Sequence, residues 1–163
     1  MGLRPNNTYT AFIDDNYTEA QRREIGLLII NYIQDRTRQG LGIGKLPFRN
    51  SRGQKRYSEN YVESKEFEVA GKSPNQINLS FTGDMLDSLE ILDASKTGEV
   101  KIGFSSDTES DKSVFLEEKG YKFLGLTNSE LSEILDGYDR PAERNLDISP
   151  VLIQSLVRGL FER

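Results

Sequence analysis

The chain has 163 residues, enough for one compact domain with arms rather than for two domains. It contains no Cys and no His, which excludes disulfides, thiolate zinc sites, iron–sulfur clusters, cysteine nucleophiles, Ser–His pairs and imidazole metal ligands. Acidic residues (26) outnumber basic ones (21), and the net charge of -5 argues against a surface that as a whole coats nucleic acid or an anionic membrane.

The first residues lack the basic stretch and apolar run of a signal peptide. The longest apolar run, Leu27 to Ile30, is far too short to cross a bilayer. The expectation is a soluble protein, made in the cytoplasm, without a membrane partner. The fold class expected is α+β: a small antiparallel sheet with a hairpin, packed against a long N-terminal helix, with shorter helices, an extended N-terminal arm and a C-terminal helix.

Residues 1–17 mix Pro, Asn, Thr and Asp with isolated aromatics and predict an extended arm. A single α+β domain is expected over 18–148. Thr18 with Gln21 three residues on is a capping-box pattern. Ile25, Leu28, Ile29, Tyr32 and Ile33 recur at helical spacing, with Arg22, Arg23, Asn31 and Asp35 on the opposite face. Gly40 suits the end of that helix. Residues 40–57, broken by Gly42, Gly44, Pro47 and Gly53, predict a long basic loop.

Ser58 is a candidate cap for a short helix running into a strand-like stretch at Phe67–Val69, and QINLSF predicts another strand. Thr82 is placed to cap a single helical turn with Met85, Leu86 and Leu89. Leu89 and Ile91, then a turn at Lys96–Gly98, then Val100, Ile102 and Phe104 in alternation predict a β-hairpin. SSDTESDK predicts a loop, followed by a short helix over 114–119 capped by Asp111 or Ser113 and stopped by Gly120. Thr127 or Asn128 caps a further helix with Leu131, Ile134 and Leu135 inside. Ser149-Pro150 opens a tail helix over 149–163. Its apolar residues, including Leu152, Leu156, Leu160 and Phe161, make a stripe wide enough to require docking on this chain or a neighbour.

The strongest local signal is charge. Between Arg36 and Arg56 lie Arg36, Arg38, Lys45, Arg49, Arg52, Lys55 and Arg56, with no acidic residue among them. That window carries +7, which leaves -12 for the rest of a chain of net charge -5. A glycine-rich cationic loop suits phosphates or an acidic protein surface; the plainer alternative is a solvated loop. Phe48, Tyr57 and Tyr61 beside it are placed to stack on bases or to anchor the loop to its own core. Gly42-Ile43-Gly44-Lys45 lacks the spacing of a nucleotide-binding loop and follows a helix rather than a strand.

Two carboxylate pairs, Asp84/Asp87 and Glu117/Glu118, lack the setting of a glycosidase and suit capping and solvated helix faces. Asp107, Glu109 and Asp111 lack the glycine and terminal Glu of a calcium loop. No catalytic residue, metal or cofactor is assigned.

FTGDMLDSLEI, followed by the hairpin and VKIGFS, resembles the "tG.L..Sl" segment and strand of phage tail-completion and virion-morphogenesis proteins, including the phage-Mu-like group. KGYKFLGLTNSELSEIL resembles their "R.FLGLs..e...I" closing motif, with Lys122 where Arg is common. IQDRTRQGLGIGKLPF with the later YSENY is similar to their helix, glycine-containing loop and "YS..Y" passage. The resemblance spans residues 25–136. His often precedes the loop or closing motif in that family, and this chain has none.

The resemblance implies an α+β subunit without enzymatic activity in a sixfold or twelvefold ring at the head–tail junction of the virion. The ring would sit between a portal or adaptor protein and a tail-terminator or tail-tube protein, with DNA passing through its channel. The seven cations and the tail-helix residues are then candidate contacts with a neighbour or with DNA. Nucleic-acid binding through 36–56 is the alternative. A carboxylate-dependent hydrolase would have to rest on Asp84 and Asp87.

Overall fold

A computed structural model describes residues 6–49, 53–54, 63 and 84–140. Arg52, Lys55, Arg56, the helix and strands expected between 58 and 81, and the tail helix with Leu152, Leu156, Leu160 and Phe161 lie outside the described residues.

The elements in chain order are β1 (Tyr9–Phe12), α1 (Glu19–Arg38), a 3-10 turn (Ile43–Lys45), α2 (Asp84–Asp87), β2 (Leu89–Asp93), β3 (Glu99–Phe104), α3 (Asp107–Glu118) and α4 (Asn128–Asp139). The α+β class stands. The described strands form one antiparallel sheet in the order β1-β3-β2.

The hairpin folds where the alternation puts it. Leu89 pairs with Phe104 and Ile91 with Ile102. The turn closes with Glu99 N–H donating to the Lys96 carbonyl at 3.2 Å, and Gly98 supplies its left-handed φ of 78°. Between Ile91 and Asp93 the register shifts by one residue. Leu92 shares the outer face with Glu90 and lies over Gly103, where an added Cβ would sit 2.6 Å from the Leu92 Cδ1.

Within the stretch expected as an arm, one segment belongs to the sheet. Tyr9–Phe12 pairs antiparallel with β3, Tyr9 opposite Ile102 and Ala11 opposite Val100, and Ile13 N–H donates to the Gly98 carbonyl at 2.9 Å.

The capping box at the start of α1 forms as its pattern requires: Gln21 N–H donates to Thr18 Oγ1 and Thr18 N–H to Gln21 Oε1. The helix ends in a Schellman motif, with Leu41 N–H reaching the Arg36 carbonyl and Gly40 in the left-handed region at φ 83°. One side of α1 packs on β2 and β3 and another on α4. Ile25, Leu28, Ile29, Ile30 and Ile33 are all buried, so α1 runs through the core rather than over it.

Arg22, assigned by its spacing to the solvent face, is accordingly internal. Its Nε donates to the Ala94 carbonyl at 2.8 Å and its Nη1 to the Tyr17 carbonyl at 2.7 Å. The guanidinium thus ties the start of α1 to the end of β2.

SSDTESDK is a helix, not a loop. Ser106 caps α3 by accepting from Glu109 N–H, and Asp107 and Glu109 stand favourably in the first turn. Asp111 and Ser113 therefore lie inside the helix. Gly120 ends it at φ 96°, as expected.

Candidate interaction surface

The most buried charge in the cationic window points inward. Arg36, near the end of α1, and Glu130, in the first turn of α4, have side chains only 3% and 4% exposed and meet at 2.9 Å. Arg36 Nη2 also donates to the carbonyls of Phe123 at 2.5 Å and Gly125 at 3.0 Å, and the guanidinium lies 5.8 Å from the Tyr32 ring centroid.

The second oxygen of Glu130 gathers further donors: Gly44 N–H at 2.8 Å, Thr127 N–H at 3.1 Å and Thr127 Oγ1 at 3.3 Å. Thr127 is the N-cap of α4, so one carboxylate completes a capping box, neutralises a buried cation and holds a loop. Burial alone would push the Glu130 carboxyl up; the hydrogen bonds from Thr127, Arg36 and Gly44 outweigh it and hold the carboxyl below its usual value. Arg36 is therefore a fold-holding residue and not the surface contact its place in the window predicts.

The other described cations lie outside. Arg38 donates to Asp87 at 2.6 Å on the surface. Lys45 stands 3.5 Å from Glu133, each side chain 55% exposed. Arg49 Nη1 donates to the Gly53 carbonyl at 2.9 Å. Exposed pairs of this kind contribute only about 0–1 kcal/mol each, so Arg38 and Lys45 can exchange partners at little cost.

The start of the basic loop is a fixed hairpin-like projection. Gly42 N–H donates to the Leu46 carbonyl at 2.7 Å, Phe48 N–H to Gly40, Ile43 N–H to Lys122 and Lys45 N–H to Gly42. Phe48 is buried and meets Tyr121 edge to face at 5.9 Å, so it anchors the loop to the core. Gly44 (φ 76°) and Lys45 (φ 62°) are consecutive left-handed residues, and only the first is a glycine. At the apex Leu46 is 70% exposed.

Glu117 and Glu118, the second carboxylate pair, stand in different surroundings. Burial pushes the Glu117 carboxyl up, whereas Glu118 stands exposed on another face of α3. Among the described residues no group of acidic side chains is placed to hold a metal ion, and no helix is long and apolar enough to cross a membrane.

Among the exposed apolar side chains that escape the sequence reading are Phe12 in β1, Leu46 in the loop and Phe115 (52% exposed) on α3. Leu46 carries a usable signal, a lone apolar residue between Lys45 and Pro47. Phe115 becomes visible only once SSDTESDK is seen as helix. No family model, curated protein or solved structure gives a significant match to this chain.

Proposed function

We propose that this chain is a structural subunit of the neck of a long-tailed phage. It assembles as a sixfold or twelvefold ring that joins the portal side of the head to the tail tube. The observation that carries this reading is where the resembling segments meet. Arg36 comes from IQDRTR, Gly44 from the glycine loop, and Phe123, Gly125, Thr127 and Glu130 from FLGLTNSE, and all meet at one buried ion pair: Phe123 and Gly125 at the guanidinium, Gly44 and Thr127 at the carboxylate. Segments far apart in the chain that share one internal task are what a common fold preserves, so their shared order supports kinship.

In this reading the FLGL motif is a clasp and not a contact site. Contact falls to the exposed loop and helix faces, with a portal or adaptor protein on one side of the ring and a tail-terminator or tail-tube protein on the other. Nucleic-acid binding through 36–56 draws less support: Arg36 is internal and Arg38 and Lys45 stand beside carboxylates.

The test is genetic. A stop codon early in the gene should yield filled heads and separate tails, rejoined when the protein is supplied in trans. Infectious virions of normal appearance that lack the protein would overturn the reading. Retained DNA binding after neutralising Arg49, Arg52, Lys55 and Arg56 would remove the alternative.

A further inference from the structure

We infer that copies of this chain meet head to tail, with the Lys45–Leu46 loop of one seated on the outer face of α3 of the next. The inference rests on the ring reading and names the contact that closes the ring.

Leu46, at 70%, is the most exposed large apolar side chain among the described residues. It stands on a loop fixed from both sides, by Gly44 N–H on Glu130 and by the buried Phe48 ring. Lys45 beside it holds a left-handed backbone that non-glycine residues adopt at a cost. Such strain persists only where the surroundings over-determine it, and it clusters at working sites. A loop that served only as a connector would need neither the rigidity nor the exposed leucine. Lys45 stands beside the apex and Arg49 just beyond the base of the hairpin, both exposed and positive.

The outer face of α3 has the opposite character. Asp107, Asp111, Phe115 and Glu118 are all exposed and follow at spacings that put them on one stripe. The stripe lies opposite Ser110, Ser113 and Leu116, which are buried. Phe115 is 52% exposed, with Lys119 Nζ 4.4 Å from its ring centroid on one side. An apolar apex beside a cation, with a second cation at the base of its loop, thus has on the same subunit an aromatic ring between carboxylates. Two different complementary patches on one chain make a heterologous contact, the kind that closes into rings. Lys45 can leave Glu133 for this contact because both are exposed.

The absence of Cys makes the test direct. Purified Leu46→Cys and Phe115→Cys chains, mixed and oxidised at a concentration where the parent chain sediments as an oligomer, should form a mixed disulfide. Its yield should exceed several-fold that of Leu46→Cys mixed with Leu27→Cys, a control at another exposed apolar position. Arg49→Glu should shift the sedimenting species towards monomer, and Asp111→Arg in the same chain should restore the oligomer.

Equal yields in the two mixtures, a dominant Leu46–Leu46 disulfide, or unchanged sedimentation of Arg49→Glu would each overturn the contact. So would a parent chain that stays monomeric throughout, or a Leu46→Cys chain that cross-links in virions only to a different protein. These outcomes leave the neck assignment to the stop-codon experiment. Normal virions in that experiment, with the mixed disulfide still formed, would overturn the assignment and keep the contact.

Discussion

Arg36 and Glu130 lie 94 positions apart in the sequence and 2.9 Å apart in the fold, both almost completely buried. Around them the end of α1, the glycine loop, the Phe123–Gly125 stretch and the start of α4 are fixed to one another. Each partner makes bonds beyond the pair itself, the guanidinium through its two terminal nitrogens to two carbonyls and the carboxylate to two backbone N–H groups, while Arg36 Nε is buried without a partner. Such additional bonds are what allow a buried ion pair to be tolerated.

Removing one member should therefore be expensive. Glu130→Ala strands a buried guanidinium and unties Gly44 and Thr127, and should lower stability by about 3–5 kcal/mol. Glu130→Gln keeps an acceptor for Gly44 and Thr127 and should cost less. Arg36→Met added to Glu130→Gln removes both charges and should recover part of the loss. Urea midpoints of the three variants give the ordering, and a Glu130→Ala midpoint equal to that of the parent would refute the clasp.

The same carboxylate sets an acid limb. Its folded-state affinity for protons is depressed, so the stability it contributes is fully present above the ordinary glutamate value of 4.5 and is lost as pH falls through the lower, folded-state value. Stability measured on acidification below 4.5 should fall more steeply in the parent than in Glu130→Gln. Parallel curves would show that other carboxylates dominate.

The alkaline limb carries a different signature. Tyr17 O–H donates to both oxygens of Asp139, at 2.8 and 2.9 Å, and its ring meets Tyr138 edge to face at 6.0 Å. Burial first, and the neighbouring Asp139 next, push its hydroxyl from 10.0 up to about 12. A raised value means that the contribution is present below 10.0 and disappears as pH climbs towards about 12. Tyr17→Phe should remove this dependence, leaving a flatter profile over that window. An unchanged slope would mean that the phenol ionises at the same pH folded and unfolded.

The sequence made visible those features whose causes are local. The Thr18 box, the Gly40 and Gly120 stops, the Thr127 cap and the 89–104 hairpin each depend on residues a few positions apart, and each is found. β1 escaped because Tyr9–Phe12, at the edge of the described strands, is made by pairing with residues some ninety positions later. Arg22 and Arg36 escaped for the same reason: a cation reads as surface until the carbonyls and the carboxylate that receive it are assembled from distant segments. At the start of α3, six polar residues looked like loop because the packing of Ser110 and Ser113, with Asn7 donating to both hydroxyls, is a tertiary effect. The candidate surface was half visible, as a cationic window whose most buried member turned out to be internal.

Gly26 separates propensity from packing. In an exposed helix interior, glycine to alanine gains about 1 kcal/mol from a stiffer unfolded chain and better helix propensity. Here α1 rests so closely on the sheet that an added Cβ would stand 2.7 Å from Ile91 Cδ1, 2.8 Å from Ile91 Cγ1 and 3.0 Å from Val100 Cγ1. The first of these is a movable methyl; the other two are held close to β2 and β3. Overpacking of this kind costs about 1–3 kcal/mol, so the balance for Gly26→Ala should be destabilising. Ile91→Val removes the Cδ1 methyl and should recover part of the loss when combined with Gly26→Ala, although alone it costs about 0.5–1.5 kcal/mol. A double-mutant cycle on urea midpoints should therefore show favourable coupling between the two sites. Strict additivity would mean that α1 shifts away from the sheet to make room, and that the close approach at Gly26 is not what sets the helix–sheet distance.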